Sequence, residues 1–340
     1  MRADARTRGR GNTLEGVNRR QSAETASPAG RRPPSGERAG WTGRADRHAH
    51  AGQGEHNRPG GRAGDDWARY WRSADEPLEA MYAHFRRHVY HRHSHESYSF
   101  GLTESGRQGF TCRGARHTSA AGMLLAFNPD EPHDGHPDDG IGFTYRMIHV
   151  GMDMMGDILN DGVLADGADR APGLPLFPRP VVAAPRAAVR LRAVHAALLG
   201  GAPRLRRDEL LRAAIAAIVR EGATRQVLLA GERRPVPPRI ARRAREVIAD
   251  RYLDDISAAD LAEAAGASRY AVYRSFRAAY GVAPSDYQRE LRLRRARRLI
   301  GAGVPIAEAA AATGFADQSH LTRWFVRCFG VTPRVYQAAV

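Results

Sequence analysis

The stretches SRYAVYRSFRAAYGVAPSDY (residues 268–287) and DQSHLTRWFVRCFGVTPRVY (residues 317–336) decide how this chain is read, because they are two copies of one pattern set 49 residues apart. Val272, Phe276, Tyr280, Gly281, Val282, Pro284 and Tyr287 fall in register with Leu321, Phe325, Phe329, Gly330, Val331, Pro333 and Tyr336. Arg274 aligns with Arg323, and Ser268 with Asp317. Residue types this unlike rarely coincide at one offset unless a structural unit has been duplicated.

Each copy predicts a helix-turn-helix. In the first, Ala258–Ala265 is a short helix with Leu261 and Ala262 inward, Gly266 makes the turn, and Ser268 caps a second helix over Arg269–Ala279. Val272 and Phe276, one turn apart, bury its inner face and leave Arg269, Tyr270, Tyr273, Arg274 and Arg277 outward. In the second, Ile306–Thr313 is the first helix, Gly314 begins the turn and Asp317 is the cap. Leu321 and Phe325 face in, while Gln318, Ser319, Thr322 and Arg323 face out. Between the copies, Ser285–Ile300 reads as one helix whose Arg289, Arg292, Arg294, Arg295, Arg297 and Arg298 are expected to contact the DNA backbone or solvent and not bases. At 1.5 Å per residue it is a rod of roughly 24 Å. Such a rod holds two recognition helices near successive major-groove segments, which recur every ~34 Å on one duplex face.

The outward residues suit DNA. Arginine offers guanine a bidentate fork, glutamine pairs with adenine, and threonine or tyrosine meets phosphate or the thymine methyl. Helix N-termini add backbone amides for phosphate. The 340-residue chain has 52 basic residues, every one arginine, against 37 acidic, for a net charge of +15. Residues 1–75 carry +6, 76–232 are neutral and 233–340 carry +9. A neutral middle and a basic last third fit one domain that avoids polyanions and one that seeks them. Charge by itself favours a merely solvated, soluble surface.

The stretch from Ile240 to Tyr336 resembles the DNA-binding domain of AraC/XylS-family transcription regulators, most of all over Gly314–Phe325 and the closing Phe329-Gly330-Val331-Thr332-Pro333. The resemblance implies an all-helical domain, placed at 239–340, of two helix-turn-helix units joined by a long helix. By position it makes Arg269, Tyr270, Tyr273 and Arg274, then Gln318, Ser319, His320, Thr322 and Arg323, the contacts to double-stranded DNA.

Working back along the chain, Arg233–Pro238 reads as a linker, since three prolines in four residues forbid a helix. Residues 185–232 are helical and serve packing or dimerisation: Leu211, Ala214, Ile215, Ile218 and Val219 make one apolar stripe. Residues 76–184 predict a sandwich or barrel of short strands. Ser97–Thr103, Gln108–Cys112, Gly122–Phe127 and Gly142–Val150 are the strands, with Glu104–Arg107 and Asn128–Pro132 as turns. Residues 1–75 predict a disordered Arg/Gly-rich tail without periodic apolar patterning. Cys112 and Cys328 are too few for a disulfide scaffold, and no apolar run approaches a membrane span, so a bacterial cytoplasmic protein is expected. Cys112 in a strand is read as a small hydrophobe before a redox sensor.

The middle region resembles the cupin-like effector domain that often precedes this DNA-binding domain. The fold class implied is α+β and multidomain: a cupin-like β jelly-roll with C-terminal helices, then the all-α domain. His91, His93 and His95 alternate and so project from one strand face. Glu131 and His133 follow, in a segment that looks like the second cupin motif. The cupin resemblance makes His93, His95 and His133 candidate metal ligands, with Glu131 or Glu104 as an oxygen ligand. The carboxylate of metal-binding cupins, however, falls here at Ser99 or Phe100. No cofactor is therefore called for, and His95, Tyr98, Glu131 and His133 are the candidate effector pocket. A ligand-responsive transcription regulator, not an enzyme, is the leading expectation, with a homodimer and RNA polymerase as further partners. A metal-dependent cupin enzyme with an appended DNA-binding domain, or a ligand-independent architectural protein, are the alternatives.

Overall fold

The computed structural model describes residues 66–138, 140–160, 174–223 and 237–339. Nine strands come first among these residues: β1 (Trp67–Arg72), β2 (Leu78–Phe85), β3 (Tyr90–His93), β4 (Tyr98–Cys112), β5 (Ala115–Ala120), β6 (Leu124–Phe127), β7 (His133–Pro137), β8 (Phe143–Val150) and the short β9 (Val181–Val182), with helix α1 (Met152–Ile158) before the last. They pair antiparallel in the order β1-β2-β8-β4-β6-β9, while β5 and β7 join β4, and β3 joins β7. β4 therefore belongs to both layers. It pairs with β6 and β8 through its first half and with β5 and β7 through its second.

Two sequence expectations change here. Ser97–Thr103 and Gln108–Cys112 are one strand, and Glu104–Arg107 is no turn. β8 runs alongside from Val150 to Phe143, so the ladder continues, and the punctuating residues are absorbed as a bulge between Thr103 and Ser105. Gly106 sits there at φ +71, and a Cβ on it would lie 1.9 Å from the Gly142 carbonyl oxygen. The expected disordered tail also ends early. Trp67–Arg72 pairs residue by residue with Glu79–His84, because its half-buried aromatic residues can cover the edge of β2. The rest of that tail up to residue 65, and most of the expected linker, lie outside the described residues.

The two sides of the strand layers feed two cores. One holds Phe100, Leu102, Leu124, Ile148 and Phe177, and is covered by α2 (Pro185–Leu199) and α3 (Arg204–Gly222). The stripe Leu211, Ala214, Ile215, Ile218 and Val219 is buried in it, so its role is to close this domain. The other core begins on the opposite side, with Met81, Phe110, Phe127 and Met147, and continues into the C-terminal helices.

Those helices are α4 (Arg239–Arg251), α5 (Ala258–Ala265), α6 (Arg269–Tyr280), α7 (Pro284–Gly301), α8 (Ile306–Ala311), α9 (Gln318–Phe329) and α10 (Pro333–Ala338). The duplicated copies fold alike. Ser268 and Asp317 cap α6 and α9 by accepting from the Ala271 and His320 amides, and Gly281 and Gly330 end them in the left-handed conformation. Their packing differs. The first unit has its own core of Ala244, Ile248, Leu261, Val272, Phe276 and Val282. The core of the second, with Leu321, Phe325 and Tyr336, merges with that of the strand domain.

Candidate effector pocket and nucleic-acid interface

Strand alternation creates a chamber. Tyr145, Met147 and His149, at every second position of β8, line it together with Met81, Phe110 and Phe127 from neighbouring strands. His93, His95 and His133 complete the wall. The volume is about 50 Å³, space for about three to five water molecules at ~10–15 Å³ each.

One ring nitrogen from each of His93, His95 and His133 lies within 4.8 Å of the others. The chain fixes two of these rings. Nδ1 of His93 is 2.7 Å from the His91 carbonyl, and Nδ1 of His133 is 2.8 Å from the Glu131 carbonyl. A carbonyl only accepts, so both Nδ1 atoms carry the proton and both Nε2 atoms are left as lone pairs. His93 Nε2 is 3.2 Å from His95 Nε2, and His95 Nδ1 is buried without a partner. Burial holds His93 and His95 well below the usual imidazole range, each reinforced by a neighbouring histidine. It also lowers His133 and His149 to about 4. The four rings are therefore neutral at neutral pH.

The structure corrects four sequence assignments. Tyr98 lies in the other core, stacked on Phe100, with its hydroxyl donating to the Pro175 carbonyl at 2.8 Å. Glu131 is buried but spent: Arg113 pairs with it, and the Asn128 amides donate to it. Glu104 pairs with Arg146 and Arg192. His91 parts from His93 because the β3–β7 register shifts between Tyr90 and His93, and its ring packs on Trp324 instead. His149, which was not singled out, joins the chamber 4.6 Å ring to ring from His95, held by Ser99. Its shared parity with Tyr145 and Met147 was the available signal.

The chamber's roof comes from the joining helix and the second helix-turn-helix unit, as Arg297 of α7 with Cys328 and Phe329 of α9. Arg297 is paired with Glu79 of β2, and Tyr70 and Tyr336 also donate to that carboxylate. Burial would raise the Glu79 carboxyl, but Arg297, His149 and the hydrogen bonds from Tyr70 and Tyr336 together leave it below its ordinary value. Arg294 forms a second tie, reaching Asp130 at 2.8 Å and Ser94 at 2.9 Å. Gly330 must be glycine twice over: its φ is +71, and a Cβ would lie 2.3 Å from the Tyr90 hydroxyl. The helix expected to offer its arginines to DNA or solvent thus spends several within the fold. Arg292 donates to the Tyr252 and Gly314 carbonyls, while Arg295 and Arg298 are exposed.

On the outer surface, α6 exposes Arg269, Tyr270, Tyr273 and Arg274, and α9 exposes Gln318, Ser319 and Arg323. Tyr270 is 71% exposed, with the Arg274 guanidinium 5.6 Å from its ring. Large exposed aromatics beside arginines suit a phosphate-and-base surface. Thr322 is half-buried. His320 is the exception to its expected outward role. It packs edge-on to Phe315, and its Nε2 accepts the Trp324 indole N–H at 3.1 Å.

Residues 77–215 match the AraC-like ligand binding domain family and residues 261–339 a helix-turn-helix domain. YbfI of Bacillus subtilis, described as an uncharacterized HTH-type transcriptional regulator, is 29% identical over 229 residues, spanning 67% of this chain and 80% of that protein. LumQ of Photobacterium leiognathi, a probable transcriptional regulator, is 31% identical over 97 residues, 27% of this chain and 39% of LumQ. Among solved structures, an apo ToxT variant from Vibrio cholerae aligns over 79% of this chain and 99% of its own at 10% identity, TM-score 0.47. ToxT with an unsaturated fatty acid bound aligns over 81% and 95% at 11% identity, TM-score 0.44.

Proposed function

We propose that the chain is an AraC-type transcription regulator, a ligand-controlled protein that binds DNA, a reading supported by its AraC-like ligand binding and helix-turn-helix matches, and that its side chains divide the tasks as follows. Arg269, Tyr270, Tyr273 and Arg274 of α6, and Gln318, Ser319, Thr322 and Arg323 of α9, contact the duplex. Arg274 and Arg323, equivalent by the repeat and both exposed, read guanines. His320 supports α9 from within its unit. The effector occupies the chamber of His93, His95, His133 and His149, and the strand domain extends from β1 through α3.

One observation carries this reading. The chamber of the ligand-binding domain is roofed by Arg297 of the joining helix and by Cys328 and Phe329 of a DNA-reading unit. Whatever fills the chamber therefore touches that unit directly, and its differential affinity for docked and undocked forms can shift DNA binding. The chain acts by binding and not by catalysis. Among the described residues no helix is long and apolar enough to cross a membrane, and contact with DNA puts the chain in the cytoplasm. A homodimer and contact with RNA polymerase belong to the same reading.

The test is gel-shift titration on DNA from the chain's own upstream region against random DNA. Arg323→Ala is expected to cost about 1–3 kcal/mol of specific binding with an unchanged far-UV spectrum. Equal discrimination by Arg323→Ala and the unaltered chain would remove Arg323 as a base reader.

A further inference from the structure

We infer that the first DNA-reading unit holds a ligand site of its own, a cavity between α4, α5, α6 and α7 that takes a small aromatic carboxylate. Its effect on DNA rests on the regulator reading above; the site itself does not.

The cavity begins as a gap in packing. α5 brings one buried side chain, Leu261, to the core of this unit, and Ala258 at its start is too short to close the opening. Ile248, Leu261 and Val272, three members of that core, are left as the floor, with Ile256 beside them. The space is about 180 Å³, against about 50 Å³ for the histidine chamber. An apolar cavity of ~150 Å³ takes up benzene, so one six-membered ring fits. Tyr273 adds an aromatic wall, and its hydroxyl accepts from Arg277 at 3.1 Å.

The rim is cationic. Arg269 lines it and has no hydrogen-bond or ion-pair partner among the described residues. Asp260 and Asp286, the acidic neighbours in sequence of Leu261 and Ser285, are engaged with the Ser257 amide and with Arg289. α7 starts at Pro284 with no capping side chain, so the amide of Ser285, also on the rim, is a second open donor. An apolar floor beneath an unpaired guanidinium and a free amide matches a ring that carries a carboxylate. A neutral hydrocarbon leaves the rim unanswered, and a phosphate leaves the floor empty. The repeat puts Gln318 where Arg269 stands and Thr322 where Tyr273 stands, so the second unit lacks both the charge and the aromatic wall.

The same side chains face DNA. Arg269 and Tyr273 are exposed on α6. A carboxylate held by Arg269 therefore removes a duplex contact of the first unit and leaves Arg323 of the second untouched. Ligand and duplex compete for one guanidinium, and each weakens the binding of the other.

The experiment titrates the full chain with benzoate by calorimetry, with benzyl alcohol as the uncharged counterpart. One saturable benzoate site per chain is expected, with weaker binding of benzyl alcohol. Arg269→Gln should weaken benzoate about 10-fold, the usual effect of losing one hydrogen bond to a charged group, without changing benzyl alcohol. Ala258→Phe, which fills the opening from an exposed position, should abolish both. Arg243→Gln, which removes an equal charge from an exposed position of α4, should change neither. Absence of saturable binding, undiminished binding in Ala258→Phe, or equal benzoate affinity in Arg269→Gln overturns the site. On DNA, benzoate should shorten the footprint only at the end read by α6. An unaltered footprint with benzoate bound overturns the competition while leaving the Arg323 test of DNA reading untouched.

Discussion

Glu79 shows how much one side chain can hold. It accepts from Arg297, Tyr70 and Tyr336, which lie on α7, β1 and α10. Glu79→Gln keeps the size but leaves Arg297 partly buried without a counter-charge, a change that costs about 3–5 kcal/mol in buried pairs. We expect a lowered melting temperature, with faster amide exchange in α10 and α9 and little change in α2 and α3. Uniform exchange throughout would mean that the pair does not govern docking. Sequence reasoning missed Glu79 because nothing in its local pattern marks it, and two of its partners, Arg297 and Tyr336, lie more than two hundred positions away. It also misplaced Tyr98 and Glu131, which share a neighbourhood in sequence with His95 and His133 but point to other partners. Legible at this scale were residues set by local rules: the caps Ser268 and Asp317, the inward Phe276 and Phe325, and the outward Arg274 and Arg323.

The helix-turn-helix copies, alike in sequence, carry different loads as elements. Phe276 is buried within its own unit, and Phe325 within a core that continues into the strands. Truncation of a buried phenylalanine costs about 3–5 kcal/mol. Phe276→Ala is expected to speed exchange in α4–α6 alone. Phe325→Ala should also loosen β2, β3 and β8. Calorimetry with residue-resolved exchange distinguishes the two, and an effect of Phe325→Ala confined to α8–α10 would contradict the shared core. The repeat made both units readable, since periodicity and capping are local. It gave no hint of the asymmetry, because docking depends on surfaces from elements distant in the chain. The arginines of α7 misled for the same reason: a basic helix looks the same in sequence whether it faces phosphate, solvent or another domain.

Across the whole molecule, buried histidines set the response to acid. His133, His149 and His195 are lowered to about 4 by burial, and His93 and His95 are also lowered. In the unfolded chain these imidazoles titrate near ~6.5. Between pH 6.5 and about 4 the unfolded state therefore binds more protons, and stability falls as pH falls through that window. Melting temperatures should be nearly level above pH 7 and drop steeply below 6.5. His195, on α2 with its Nε2 2.9 Å from the Met81 carbonyl, contributes from outside the chamber. A flat profile from pH 7 to 5 would show these rings to be solvated. The domain order was legible at this scale from charge and pattern. The chamber's roof was not, since it forms where two separately readable domains meet.

The central claim is that both copies of the duplicated unit grip one duplex while the chamber beneath the second controls that grip. Nuclease footprinting on the chain's upstream DNA tests it most directly, comparing the unaltered protein with Arg274→Ala and Arg323→Ala. Two adjacent major-groove contacts should protect roughly 20 base pairs, and each substitution should relax sequence preference in a different half of that span. A footprint that loses the same half in both variants, or that neither variant alters, would contradict it.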